Sequence, residues 1–194
     1  MRKRRHNQTH ASNPPGRTLR LSWRMADPYW AERAAEPYYA VADGYVRSVA
    51  GAQSMLDVGC NRARYSEWWT QIPRRVAIDP CGPPSMWGVE ARDCRLADVP
   101  TSEVFDVVVC LQVLEHCEIT DPMAFCDLLK SHTSRALILS VPHLWPAGAC
   151  EHHDKDPLIL ADVVGWMRGV LPVSRQVTGN PARLVCMFDA EGWQ

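Results

Sequence analysis

The sequence has no apolar run long enough to span a membrane and no Cys-x-x-Cys pair. A membrane-spanning helix needs about eighteen consecutive apolar residues, so none is expected. No apolar stretch of signal-peptide length follows the basic start "MRKRRHNQTH", so a secretory signal is not expected either. The eight cysteines are scattered, and several lie in apolar runs such as "VVVCL" and "LVCMF", where cysteine behaves as a small buried hydrophobe. This usage predicts a reduced, cytoplasmic protein rather than a disulfide framework or a zinc knuckle.

Acidic residues are absent from the first 24 positions. Seven arginines and lysines lie there, so the net charge of −1 for the whole chain leaves −8 for positions 25–194. We therefore expect 1–24 to be a basic, disordered arm and 25–194 to form one domain. A basic arm can bind nucleic acid, but the acidic domain argues against nucleic acid as the main partner. Met25 is an alternative start for translation.

Apolar segments alternate with helical patterns through the middle of the chain. We predict strands at 54–58, 74–79, 89–93, 104–111 and 135–142, and a closing strand pair that ends with 182–189. Pro37 divides an N-terminal helical segment in two, and Asp-Pro pairs at 121–122 and 156–157 are typical helix starts. A further helix is predicted near "YSEWWTQI". The alternation predicts an α/β fold with a mostly parallel sheet.

The loop "LDVGCNRARY" after the first strand lacks the glycines of a dinucleotide-binding turn. Gly59 is present, but Asn61 and Ala63 stand where glycines would follow. Because a pyrophosphate needs close backbone approach, these residues disfavour NAD or FAD and therefore an oxidoreductase. Asp79 follows Gly59 by twenty residues, the spacing of an acid that accepts hydrogen bonds from ribose hydroxyls. S-adenosylmethionine has ribose and adenine but no phosphate, and it fits this loop better.

Five motifs occur in one order and spacing. They are "MLDVGCNRARY", "VAIDP", "ARD", "FDVVVCLQVLEH" and "ALILSVPH". Together they resemble class I S-adenosylmethionine-dependent methyltransferases. The resemblance implies a single-domain Rossmann-like fold, with a mostly parallel seven-stranded sheet and helices on both faces. The stretch "SVPHLWPAGACEHHDKDP" resembles a bacterial subgroup close to methyltransferase types 11 and 12.

The resemblance also assigns roles to residues that match the family's motifs. The implied cofactor-binding residues are Asp57, Gly59, Asn61 and Tyr65 beside the methionine part, Asp79 and Pro80 at the ribose, Asp93 and Cys94 at the adenine, and Leu111 and Gln112 beside the sulfonium. Asp98 is an alternative to Asp93. Asn61 departs from the family's glycine, and we expect it to keep the turn because asparagine tolerates left-handed conformations.

Loop histidines are the candidate bases for the transfer. We favour His153, because the subgroup places a histidine just before Asp-Pro, and we keep His143 as the second candidate. His116 in "VLEH" is expected to brace the helix after the fourth strand. Four aromatic residues of the N-terminal helices are candidates for a lid over the cofactor or for ordinary packing: Tyr29, Trp30, Tyr38 and Tyr39.

Two stretches raise the question of a metal ion. The neighbouring side chains of "CEHHD" cannot all face one ion. "QVLEH" resembles a Glu-x-x-Glu-His metal site of ubiquinone-pathway O-methyltransferases, but Gln112 replaces the first ligand. We therefore predict no metal.

The favoured hypothesis is methyl transfer from S-adenosylmethionine to a small molecule or sugar, with O-methylation preferred. A non-catalytic cofactor-binding protein of the same fold and an RNA or protein methyltransferase remain alternatives. The Asn/Asp-Pro-Pro-Tyr/Phe motif of amino-methylating enzymes is absent, and its place reads "LQVL".

Overall fold

The computed structural model describes residues 28–193, so the predicted basic arm lies outside the described residues. The helices are α1 (Pro28–Arg33), α2 (Pro37–Ser48), α3 (Pro122–Ser131) and α4 (Leu160–Trp166). The strands are β1 (Ser54–Val58), β2 (Arg74–Ile78), β3 (Glu90–Arg92), β4 (Phe105–Leu111), β5 (Thr133–Pro142), β6 (Ser174–Thr178) and β7 (Arg183–Asp189). Within 28–193, no helix is long and apolar enough to cross a membrane. All eight cysteines are free, and four of them are buried.

The strands form one seven-stranded sheet in the order β3-β2-β1-β4-β5-β7-β6. β1 to β5 run parallel, with β1 in the centre between β2 and β4. β7 runs antiparallel to both β5 and β6. The chain moves to one side of β1 for β2 and β3 and to the other side for β4 and β5. This reversal of strand order creates a crevice at the carboxyl ends of β1 and β4, where ligands bind in open α/β sheets.

Both faces of the sheet are covered. Alternate side chains of β4 point to opposite faces, so Val108 and Cys110 join the core under α3 and α4, whereas Val107 and Val109 join the core under α2. A strand buried on both faces reads as a continuous apolar run, which "VVVCL" is. The predicted α/β fold, with a mostly parallel sheet and helices on both faces, is confirmed.

Two of the helix starts form as the sequence predicts. Pro37 is at the start of α2, and Pro122 is at the start of α3. The Asp121 side chain caps α3 by accepting a hydrogen bond from the Ala124 backbone N–H at 2.9 Å.

One predicted helix does not form, and another starts later than predicted. The segment "YSEWWTQI" forms only a 3₁₀ turn at Tyr65–Trp68, because Pro73 closes the segment and disfavours a helical conformation just before it. The Asp-Pro pair at 156–157 does not start a helix either. The Asp156 carboxylate accepts a hydrogen bond from a histidine instead of capping the chain, and α4 begins at Leu160.

Candidate active site

Gly59 and Asn61 shape the loop that follows β1. Both residues have left-handed backbones, with φ of +74° for Gly59 and 47° for Asn61. A Cβ atom at Gly59 would lie 2.5 Å from Cγ2 of Val113, in the loop after β4. Glycine is therefore required at 59 by both the backbone angle and the contact. At 61, asparagine takes a left-handed conformation that glycine adopts more readily.

Asp79 ties this loop to the end of β2. Its Oδ2 accepts a hydrogen bond from the Asn61 backbone N–H at 2.8 Å, and its Oδ1 accepts one from the Cys81 backbone N–H at 2.8 Å. The residue is 7% exposed, whereas the neighbouring Pro80 is exposed. Each carboxylate oxygen has more than one lone pair, so both can accept a further bond from a ligand.

Asp57 is buried completely at the end of β1. Its Oδ1 accepts a hydrogen bond from the Tyr65 hydroxyl at 2.5 Å, and its Oδ2 accepts one from the Ser66 hydroxyl. Burial raises the pKa of Asp57 to about 7, and the two hydroxyl hydrogen bonds offset part of that rise. The hydrogen bond between Tyr65 and Asp57 therefore joins the two ends of the loop on its buried side.

The other predicted cofactor residues lie on both sides of this loop. Asp93 is exposed and Cys94 is half-buried, and both follow β3. The alternative, Asp98, caps a short turn by accepting a hydrogen bond from the Arg95 backbone N–H at 3.0 Å. On the β4 side, Leu111 is 5% exposed, and the Gln112 side chain donates to Ser140 Oγ at 3.0 Å.

The N-terminal aromatic residues divide into two groups. Tyr38 and Tyr39 are buried in the core under α2. Trp30 packs against Tyr65, with ring centroids 6.2 Å apart. The Tyr29 hydroxyl lies 3.5 Å from the Asn61 side-chain nitrogen. Helix α1 therefore reaches the loop after β1 through Tyr29, for which the lid hypothesis stays open. Trp30 packs against Tyr39, with ring centroids 5.3 Å apart, and so belongs with Tyr38 and Tyr39 to the packing.

A second group of polar side chains lies beyond β4 and β5. His153 Nδ1 is 2.8 Å from Oδ2 of Asp156, and the side chains are 9% and 1% exposed. The His153 ring contacts the His116 ring, with centroids 5.0 Å apart, and the two residues form a backbone bridge. Glu115, His116 and His153 each offer one ligand atom, and these atoms lie within 4.8 Å of one another. This is a donor set that could hold a metal ion.

Glu115 lies in "QVLEH", whose likeness to a metal site was set aside because Gln112 replaces the first ligand, and Asp156 was expected only to start a helix. Glu115 is 1% exposed, and burial raises the pKa of its carboxyl group to about 8. The sequence signals that could have found them are the acid beside His116 in "VLEH" and the acid of the Asp-Pro pair. His116 was expected to brace the helix after the fourth strand. Its backbone carbonyl accepts a hydrogen bond from Lys155 Nζ at 2.7 Å.

His143, the second candidate base, follows β5 directly. Its backbone N–H donates to the Ala182 carbonyl at 3.0 Å, beside the start of β7. Its Nδ1 is buried and has no hydrogen-bond partner within the described part of the chain. His143 is therefore not part of the group formed by Glu115, His116 and His153.

The sheet order and the single antiparallel strand β7 are those of the class I methyltransferase fold, which solved structures of such enzymes confirm. One is the N-methyltransferase NodS from Bradyrhizobium japonicum WM9, with 14% identity, a TM-score of 0.62, and coverage of 85% of this chain and 98% of that chain. Another is 1,6-didemethyltoxoflavin-N1-methyltransferase from Burkholderia thailandensis, with bound S-adenosylhomocysteine (18% identity, TM-score 0.64, coverage 84% and 80%). A third is an rRNA methylase from Escherichia coli, with 14% identity, a TM-score of 0.52, and coverage of 82% of this chain and 65% of that chain. At these identities the likeness is one of fold. No protein-family model and no curated protein matches the sequence.

Proposed function

We propose that this protein binds S-adenosylmethionine and transfers its methyl group to an oxygen of a small molecule or sugar. The observation that carries the proposal is the loop after β1, whose left-handed Gly59 and Asn61 are tied to Asp79 at the point where strand order reverses. The solved structures with this fold include enzymes that act on small molecules and on rRNA, so the acceptor class rests on the acidic domain and the missing amino-methylation motif.

The proposed cofactor contacts follow from the lone pairs left at each residue. The backbone N–H groups of Asn61 and Cys81 take one position on each oxygen of Asp79, and the remaining positions accept the two ribose hydroxyls. We assign the methionine part to the loop at Gly59, beside buried Asp57. The adenine lies by Asp93 and Cys94, and the sulfonium by Leu111 and Gln112.

At the other end of the crevice, the acceptor must lose a proton while its oxygen attacks the methyl carbon. The oxygen lone pair forms the new C–O bond, and the C–S electron pair returns to sulfur, which becomes a neutral thioether. A base within hydrogen-bond reach of the acceptor supports this step. We propose His153 as that base. Its Nδ1 faces the Asp156 carboxylate, which fixes the tautomer and leaves Nε2 to accept the proton.

Calorimetric titration with S-adenosylmethionine tests the cofactor proposal. We expect one binding site in the wild type. In Asp79→Asn its affinity should fall at least about tenfold, because a neutral amide accepts hydrogen bonds from the two ribose hydroxyls less well than a carboxylate does. Asp189→Asn is the matched control, since Asp189 is exposed and pairs with Ala136 near the opposite end of β5. Absence of binding by the folded protein, or equal loss in the two variants, would refute the proposal.

Transfer of a radiolabelled methyl group to a metabolite extract, to RNA or to protein tests the acceptor class. We expect label in the small-molecule fraction, with loss of transfer but unchanged cofactor binding in His153→Ala. Label in RNA or protein would replace the small-molecule acceptor with that class. Cofactor binding without transfer to any fraction would favour the non-catalytic alternative.

A further inference from the structure

Glu115 is a buried carboxylate that lacks a partner. It is 1% exposed, and neither of its carboxylate oxygens has a hydrogen-bond partner in the part of the chain that the structure describes. The nearest basic side chains are engaged elsewhere: Arg183 donates to the Pro181 carbonyl and Lys155 donates to the His116 carbonyl and to Asp154. An unpaired buried carboxylate is costly, and it is stabilised either by a proton or by a bound cation.

Two imidazoles stand next to this carboxylate. His116 follows Glu115 directly in the chain. His153 lies 37 positions after His116, and the loop between β5 and α4 brings it against His116. Backbone contacts fix the approach, since the Cys117 N–H donates to the His152 carbonyl at 3.0 Å. One ligand atom from each of Glu115, His116 and His153 lies within 4.8 Å of the others.

His153 also has the supporting contact of a metal ligand. Its Nδ1 pairs with the Asp156 carboxylate at 2.8 Å, which leaves Nε2 for another partner. Metal-binding histidines usually donate their other ring N–H to a carboxylate or carbonyl, which fixes the ring and raises its basicity. The side chain of Asp156 is 1% exposed, so this support is shielded from water.

We propose that Glu115, His116 and His153 bind one divalent transition-metal cation, with Zn²⁺ as the best match. Two imidazoles and one carboxylate suit Zn²⁺, whereas Mg²⁺ and Ca²⁺ prefer oxygen ligands. Three protein ligands leave a fourth position of a tetrahedral ion open, as in catalytic rather than structural zinc sites. Gln112 lies outside the group of three ligands, and its amide nitrogen donates to Ser140 Oγ.

Binding requires at most a small contraction of the site. Ligand atoms about 2.1 Å from a tetrahedral ion are about 3.4 Å apart, and the three ligand atoms here already lie within 4.8 Å of one another. Glu115 is fixed in the core, but the His116 side chain is 36% exposed and can rotate towards the ion. We therefore expect the movement to be carried mainly by His116.

The consequence for catalysis rests on the proposed methyl transfer. With a cation bound, Nε2 of His153 is a ligand and no longer the base. The open position would instead hold the acceptor hydroxyl, and the cation would lower its pKa so that the proton leaves to solvent. Cation binding itself does not depend on the acceptor or on the cofactor.

The experiment is a titration of the full-length, chelator-treated protein with Zn²⁺ and with Co²⁺. We expect the wild type to bind one equivalent more than Glu115→Gln or His153→Ala, and Asp156→Asn to bind about 10- to 100-fold more weakly. His152→Ala is the matched control, because His152 is the adjacent, exposed histidine and lies outside the group. Thermal melting of each apo variant checks the fold, and Glu115→Gln keeps the shape of the side chain.

The cobalt spectrum and the cofactor titration separate the outcomes. A tetrahedral spectrum without thiolate-to-cobalt charge transfer supports the nitrogen and oxygen ligands, whereas thiolate bands would place the ion at a cysteine and overturn the proposal. Equal binding by wild type and Glu115→Gln would also overturn it. Asp79→Asn should retain the cation, and Glu115→Gln should retain S-adenosylmethionine, so either proposal can fail without the other.

Discussion

At the scale of single residues, the loop after β1 depends on two neighbours with different reasons for their conformation. Gly59 has no alternative, since its φ is +74° and Val113 occupies the space where a side chain would begin. Asn61 has a φ of 47°, which asparagine tolerates better than most other residues, and its backbone N–H donates a hydrogen bond to Asp79. The loop therefore tolerates the loss of glycine at 61 but not at 59.

Substitution of Gly59 by alanine should reveal the contact with Val113. We expect Gly59→Ala to lower the free energy of unfolding by about 2 to 4 kcal/mol, as the sum of left-handed strain and overpacking. In a Val113→Ala background the same change should cost about 1 to 2 kcal/mol less, because the methyl group that clashes is gone. Urea denaturation of the four proteins measures this coupling. Strict additivity would show that the contact does not limit residue 59.

At the scale of elements, those stabilised by apolar burial could be predicted from the sequence, whereas those that depend on particular side-chain contacts could not. β4 was predictable because a strand buried on both faces must be largely apolar, and β1 and β5 were predictable from shorter apolar runs. The segment 65–72 was not, because the Asp57 contacts and Pro73 override its helical pattern. The start of α4 was missed because Asp156 accepts a hydrogen bond from His153, three residues earlier, and so does not cap the helix.

The start of α3 is the element boundary that sequence signals define most fully. Asp121→Ala removes the carboxylate that accepts from the Ala124 backbone N–H, and we expect it to lower the free energy of unfolding by about 1 kcal/mol. Asp121→Asn keeps an accepting oxygen at the same place and should cost only a fraction of that. Urea denaturation at neutral pH measures both. An equal loss in the two variants would mean that charge, not the cap, matters at this position.

At the scale of the whole molecule, the fold brings together at one edge of the sheet residues that are far apart in the sequence. Gly59 and Asp79 could be predicted as neighbours because parallel strands end at the same edge of a sheet. The contact of Glu115 and His116 with His153 could not, because it depends on the path of a loop outside the sheet. The proposed cofactor end thus follows from strand order, whereas the proposed acceptor end depends on loop packing.

The burial of Asp57 makes the stability of the whole domain depend on pH. Its pKa is about 7 in the folded protein against 3.8 in an unfolded chain, because burial disfavours the charged form. Below pH 4 the carboxyl group is protonated in both states. Between about pH 4 and 7 only the unfolded state loses the proton, so the free energy of unfolding falls as pH rises, and above 7 the loss is complete.

Asp57→Asn removes this dependence, since an amide does not ionise. We expect the unfolding free energy of Asp57→Asn minus that of the wild type to rise from pH 4 to pH 8 by as much as about 4 kcal/mol, which corresponds to a shift of about 3 pKa units. Asp189→Asn, at an exposed position, controls for the loss of one negative charge. Urea denaturation at several pH values measures the difference. A difference that stays constant over this range, or that falls, would show that Asp57 is ionised in the folded protein, with Tyr65 and Ser66 stabilising its charge in place of water.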